Sequence, residues 1–431
     1  MPGDQATGRT RPTRRQLLFG GAVAGFGAAA AIGADQALRL ATPVAEQGRA
    51  DAHNTDTHNT DAHNADAPSG TDVVPFYGTH QSGIATTPQA HATLVALDLR
   101  DGIDRDALRR LMQLLTDDAA RLTQGEPALA DSEPELALVP ANLTVTFGFG
   151  PEFVRRASTA PTAAMTSNEA PAWLCPLPAF GIDRLEPGWS DGDLLLQIAS
   201  DDPFTVAHAL RMLLKDTRSF ATVRWTQPGF RRARGSEATG TTMRNLFGQV
   251  DGTVNPAPPT LDFEQLVWIR EGAFAGGTGM VVRRIRMDLD KWDRLDRSGR
   301  EQSVGRTLAN GAPLTGVEEH DEPDFAAKNA AGFPVIAEFS HLRRARSENT
   351  AERFFRRAYN YDDAPTGEEI SNSGLLFIAF QADVDAQFVP VQKRLDELDL
   401  LNEWTTPIGS AVFVVPPGCA DGGYIGEGIL R

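Results

Sequence analysis

The order of apolar segments constrains this chain more than any other feature. His91-Ala-Thr-Leu-Val-Ala-Leu-Asp-Leu99 reads as a strand, and Asp104 to Leu122 as an amphipathic helix with Leu108, Leu111, Leu114 and Leu115 on one face. Leu143 to Phe149 and Asp193 to Ala199 follow as strands, Pro203 to Leu214 as a second helix, and Thr222 to Thr226 as a fourth strand. The second half runs through the same series. Gly279 to Met287 is a strand, Leu289 to Leu295 begins a helix, and Val335 to Phe339 is a strand. Leu375 to Phe380 is the third strand, Asp385 to Leu398 the second helix, and Ser410 to Val415 the last strand. Even the joint after the third strand recurs, as Gln197-Ile-Ala-Ser-Asp-Asp-Pro203 and Ala379-Phe-Gln-Ala-Asp-Val-Asp385. This β-α-β-β-α-β order predicts an α+β chain of two ferredoxin-like halves with antiparallel sheets.

The halves take residues 73–235 and 236–431, with the division between Gly229 and Thr242. Residues 1–40 read as an export segment. Thr13-Arg14-Arg15-Gln-Leu-Leu is a twin-arginine pattern, and the Gly- and Ala-rich run from Leu17 to Ala34 follows it. The competing reading is a membrane anchor, since the run is nearly long enough to span. Its mild hydropathy and the small residues near Ala31 and Ala34 favour cleavage. A periplasmic or extracellular protein with no stable membrane association after processing is expected. Residues 41–72 hold three polar units, His53-Asn-Thr-Asp-Thr, His58-Asn-Thr-Asp-Ala and His63-Asn-Ala-Asp-Ala. Repeats this polar cannot bury a core, which predicts a disordered linker. Chelation of a divalent metal by these His and Asp residues is the sharper alternative, opposed by the entropy of ordering the chain.

With 431 residues, 41% of them hydrophobic, the chain can bury a full core. Its formal charge of −16 argues against nucleic acid or an anionic membrane as partner. Cys175 and Cys419 are the only cysteines, and in an exported chain they either pair or remain separate thiols. No Cys-x-x-Cys is present, so dithiol and iron–sulfur chemistry have no support.

Chemistry-bearing residues concentrate in the second half. Leu246-Phe-Gly-Gln-Val-Asp-Gly-Thr253 sets Asp251 on a Gly-flanked turn beside apolar residues, where desolvation can tune a general acid or base. His341 follows the apolar run Phe333 to Phe339, and Arg356 and Arg357 sit in an aromatic cluster that continues to Tyr361. One His, one Asp and one Arg leave no second ligand for zinc. His80, in Phe76-Tyr-Gly-Thr-His-Gln-Ser-Gly-Ile84, is a mild metal-ligand candidate by its residues alone, and a structural one by the family resemblance that follows.

Gly248-Gln-Val-Asp251-Gly252, His341 and the run Arg356-Arg-Ala-Tyr-Asn-Tyr361 together resemble the dye-decolorising peroxidases, haem enzymes with a Gly-x-x-Asp-Gly signature. The resemblance extends from about Val73 to Leu430 and implies the same two-half fold, with one haem b per chain in the C-terminal half. It implies His341 as the axial iron ligand, and Asp251 with Arg356 on the peroxide side. Arg357 is the alternative to Arg356, because the loop before the pair varies in length. Asp383 is either the carboxylate behind His341 or a helix cap. Arg306 and Thr253 are the expected partners of haem propionates, and Phe377 and Phe380 of the ring.

The partners this implies are hydrogen peroxide and an organic electron donor such as a dye or a phenol, with a homo-oligomer possible. A carboxylate acid–base catalyst also implies an acidic optimum. Two other functions compete: release of iron from haem for iron uptake, as in deferrochelatases, and periplasmic haem or metal binding without turnover.

Overall fold

The computed structural model describes residues 69–158, 170–365 and 367–431; the twin-arginine segment and the His-Asn-Asp units lie outside these residues. The first half contains β1 (His91–Leu99), α1 (Arg105–Thr123), β2 (Thr144–Phe149), β3 (Leu194–Ser200), α2 (Pro203–Thr217) and β4 (Ala221–Phe230). Asp104 starts α1 by accepting a hydrogen bond from Ala107 N at 2.8 Å. Asp202 starts α2 in the same way, with Pro203 at its first position.

The second half contains β5 (Thr278–Met287), α3 (Leu289–Trp292), α4 (Arg297–Val304), α5 (His341–Ala345), β6 (Phe355–Arg356), β7 (Tyr359–Asp363) and β8 (Asn372–Gln381). A π-helical turn, Val384–Phe388, then leads into α6 (Val389–Leu398), and β9 (Thr405–Val415) completes the half. The expected strand over Val335 to Phe339 does not form. Only Ile336 of that run is fully buried, Phe333 and Phe339 are exposed, and Pro334 makes one isolated bridge to Lys328. A strand needs alternation, and this run lacks it. The interrupted strand β6–β7 takes that place, with Tyr359 and Tyr361 both buried. The helix expected over Leu289 to Leu295 ends at Trp292.

Each half adopts the ferredoxin-like strand order, β2-β3-β1-β4 in the first and β9-β5-β8-β7 in the second. The two sheets join edge to edge at two seams of one registered pair each, Phe149 with Val414 and Phe230 with Asn360. Pairing of β5 with β8 closes the ring into a barrel-like arrangement.

Closure explains why β1, β2 and β3 are buried on both faces instead of alternating. Val95, Leu97 and Leu99 face α1 and α2, whereas Ala92, Leu94 and Ala96 face the ring interior. Residues of both halves meet in that interior, including Leu195, Met280, Ile378, Phe380 and Phe413. A third cluster, built on Phe247, Met287, Trp292, Val304, Ala358 and Leu375, lies in the second half alone.

Arg357 ties the halves together. It is fully buried, and its guanidinium donates to Thr86 O and Gln89 Oε1 of the first half. Arg357→Leu leaves Gln89 Oε1 buried without a donor. It is expected to cost about 2 kcal/mol or more of unfolding free energy, read as a lowered urea midpoint.

Candidate active site

The turn that carries Asp251 is a narrow hairpin. Arg244 bridges Val250, Asn245 N donates to Gln249 O at 3.0 Å, and Gly248 N donates to Asn245 O at 2.9 Å. Gly248 has φ +80°, a left-handed conformation that glycine adopts without strain. The indole Nε1 of Trp292 donates to Phe247 O at 3.3 Å and anchors the hairpin to the third cluster. Asp251 N then donates to Met243 O at 2.8 Å, which fixes the backbone from which the carboxylate projects.

Arg356 meets that carboxylate, with Nη1 donating to Asp251 Oδ1 at 2.9 Å. The second oxygen, Oδ2, has only a 3.5 Å contact with Asn245 Nδ2, at the outer limit of a hydrogen bond. Strand alternation separates the two neighbouring arginines. Arg356 is registered opposite Ala379 of β8 and shares a face with it, while Arg357 turns inward. Phe377 lies two residues from Ala379 on that same face. It packs against Phe354 and Phe388 with ring centroids 6.3 Å and 6.1 Å away. Phe380 is instead fully buried in the ring interior.

His341 opens α5, and its Nδ1 lies 2.6 Å from Asp399 Oδ2. A carboxylate can only accept, so Nδ1 carries the hydrogen and the neutral ring keeps its lone pair on Nε2. Nε2 has no hydrogen-bond partner among the described residues. Desolvation pulls the imidazole pKa down, but the charge and hydrogen bond of Asp399 outweigh it, and the net shift is upward. Asp251 and Arg356 also act on this ring, with opposite signs, which places all three residues in one electrostatic neighbourhood. The ring keeps 32% of its side-chain surface accessible, against 3% for Asp399.

The carboxylate behind His341 is therefore Asp399, and the reading of Asp383 in that role is corrected. Asp383 Oδ1 accepts from Ala386 N at 2.8 Å and caps the π-helical turn, at the opposite end of the helical segment from Asp399. Asp399 does two jobs: Oδ1 caps the turn Leu400–Glu403 through Leu401 N, and Oδ2 orients His341. A helix-terminal Asp reads as a cap in sequence, so its second role left no sequence signal.

Arg306 is buried and donates from Nη1 to Gly311 O at 2.6 Å and Glu319 O at 2.9 Å. Burial pushes its pKa down, while the Glu319 charge opposes that shift. Its Nε and Nη2 have no hydrogen-bond partner among the described residues. Thr253 Oγ1 donates to Glu319 Oε1 at 2.9 Å, and Thr242 Oγ1 donates to the same oxygen at 2.7 Å. Glu319 thus links Thr253 to Arg306, a role the sequence did not suggest.

His80 is structural: its Nδ1 lies 2.6 Å from Gly276 O and its ring stacks on Trp268 at 3.8 Å. Cys175 and Cys419 are separate thiols. Among the described residues no group of three or more His, Cys, Asp or Glu side chains is placed to hold a metal ion. No described helix is long and apolar enough to cross a membrane.

Two family models match the chain, "Dyp-type peroxidase, N-terminal" over residues 81–231 and "Dyp-type peroxidase, C-terminal" over residues 242–420. The dye-decolorizing peroxidase of Thermobifida fusca is 36% identical over 367 residues, 81% of this chain and 84% of that protein. A deferrochelatase of Escherichia coli is 36% identical over 383 residues, covering 83% of this chain and 87% of its own length. Among solved structures, a DyP-type peroxidase from Cellulomonas bogoriensis superposes with a TM-score of 0.80 at 56% identity, covering 85% of this chain and all of that one. DtpA from Streptomyces lividans, solved as an oxyferrous/water mixed complex, superposes at 0.79 with 39% identity, over 84% of this chain and 99% of its own. The chain belongs to the Dyp-type peroxidase family.

Proposed function

We propose that this Dyp-type peroxidase binds one haem b against His341 and reduces hydrogen peroxide with Asp251 and Arg356, taking electrons from an organic donor. The observation that carries the reading is the joint placement of two differently equipped groups. One is an imidazole locked at Nδ1 by Asp399, and the other is a carboxylate held at Oδ1 by a guanidinium. The residues fit a haem. His341 keeps Nε2 for an iron, its ring is partly accessible, Arg306 has unused N–H groups for a propionate, and Phe377 shares a face with Arg356. The oxyferrous form of DtpA and the family match support the same cofactor.

Haem, when bound, would supply a redox-active iron able to deliver the electrons that peroxide reduction requires. The protein's share is proton handling and charge stabilisation. Asp251 Oδ2, the oxygen without a strong hydrogen bond, accepts a proton from one peroxide oxygen and returns it to the other, which leaves as water. Arg356 keeps Asp251 oriented through Oδ1, and its remaining N–H groups face the negative charge that develops as the O–O bond breaks. Asp399 holds the His341 ring in one tautomer and one orientation, and so fixes the direction of Nε2. Dyes and phenols are the donor class this family suggests.

Family membership sets aside the reading as a binding protein without turnover. The deferrochelatase relatives favour a second reading of the same site, in which iron leaves haem and the porphyrin stays whole. Export by the twin-arginine route, to the periplasm or beyond, remains our proposal from Arg14 and Arg15.

Three measurements test these statements. Asp251→Asn and Arg356→Leu in the haem-loaded protein are expected to slow the bimolecular reaction with peroxide by about 10²-fold or more. Rates equal to wild type would sink the assignment. Extraction of pigment after incubation with haem and a reductant is expected to return haem unchanged; recovery of intact iron-free porphyrin would move the second reading to first place. Arg14→Lys with Arg15→Lys is expected to retain the protein in the cytoplasm of its host, and normal export of that variant would contradict the proposed route.

A further inference from the structure

The two charged residues of the peroxide side lie 105 residues apart in sequence, yet the gap between their backbones is bridged by one amide side chain. Asn255 Nδ2 donates to Arg356 O at 2.7 Å, and Asn255 Oδ1 accepts from Arg356 N at 3.1 Å. Both backbone groups of Arg356 are therefore bound by a single residue. Asn255 is in turn held to the Asp251 turn, because its own N–H donates to Gly252 O at 2.9 Å.

We propose that Asn255 is the positioning residue that sets the reach of Arg356 towards Asp251, and through it the rate of reaction with peroxide. The strand it serves has little else to fix it. β6 is two residues long and pairs with β8 only through Phe355 with Phe380 and Arg356 with Ala379. Arg357 N donates to Ile378 O at 2.9 Å, so the N–H and C=O of Arg356 point to the opposite, outer edge. An edge left open there would be satisfied by water and free to shift. Asn255 occupies it with one donor and one acceptor, as a neighbouring strand would.

Beyond its backbone, Arg356 makes one hydrogen bond, to Asp251. The guanidinium is thus placed from both ends by one short stretch, the turn from Asp251 to Asn255. Displacement by about 1 Å at a reacting centre can cost on the order of 10²-fold in rate. Asn255 touches neither peroxide nor haem in this account, and it acts through Arg356 alone.

The inference rests on the peroxide role of Arg356, so the test is a double-mutant cycle in the haem-loaded protein. The bimolecular rate with peroxide and the affinity for fluoride are measured for wild type, Asn255→Ala, Arg356→Ala and the double variant. Asn255→Ala is expected to lower both by about ten- to a hundredfold, with KM for the organic donor unchanged. In the Arg356→Ala background the same substitution is expected to change neither by more than about twofold. Asn255→Asp keeps the acceptor for Arg356 N, loses the donor, and serves where the alanine variant does not fold; a smaller loss that again vanishes without Arg356 is expected. Equal losses in both backgrounds, or no loss in Asn255→Ala, overturn this inference alone. An unchanged rate in Arg356→Ala overturns the peroxide reading itself and this inference with it.

Discussion

The pairing of β8 on both of its edges is the constraint on which the rest of the structure depends. Through nine registered pairs with β5 it closes the ring of strands, and on its other edge it carries β6 and β7. A strand paired on both sides cannot slip by one residue without turning its core face outward. That register sends Arg356 to the outer face and Arg357 to the interior, so the same pairing that closes the fold decides which arginine meets Asp251. Gly374 shows how tight the packing is: a Cβ there would lie 2.6 Å from the Tyr361 ring. The site inherits its precision from the sheet.

Much of this was legible in the sequence, and the exceptions share a cause. β1 falls on the expected His91–Leu99, and α1, α2 and α6 fall within a few residues of expectation, because long periodic segments carry redundant signals. The failure was the second strand of the C-terminal half. Phe333-Pro-Val-Ile-Ala-Glu-Phe339 is apolar in composition but irregular in burial, whereas Phe355 to Asp363 is polar in composition and still lies in the sheet. Its buried arginine and asparagine are paid for by hydrogen bonds to distant residues, Gln89 for Arg357 and Arg244 O for Asn360. No local pattern announces partners so far away. The same holds for Asp399 and Asn255, which look like a helix cap and an Asn-Pro turn, and which are the residues that orient His341 and grip Arg356.

The candidate site holds two charge pairs that differ in how completely they are hydrogen-bonded. His341 with Asp399 is a fixed pair, since the buried carboxylate caps a helical turn with one oxygen and binds the ring with the other. Asp251 with Arg356 is less fully bonded: Oδ1 accepts from the guanidinium, and Oδ2 is left with one 3.5 Å contact. In the proposed mechanism His341 holds a direction, which needs its hydrogen bonds satisfied, and Asp251 moves a proton, which needs one of them spare. The duplicated scaffold supplies both on one copy only, which fits a single site per chain.

A crystal structure of the haem-loaded protein tests the central claim most directly. The account predicts haem density with iron bonded to Nε2 of His341, Nδ1 still on Asp399, and Asp251 with Arg356 on the opposite face of the ring. Iron bonded to any other side chain, or Asp251 and His341 on the same face, would contradict it.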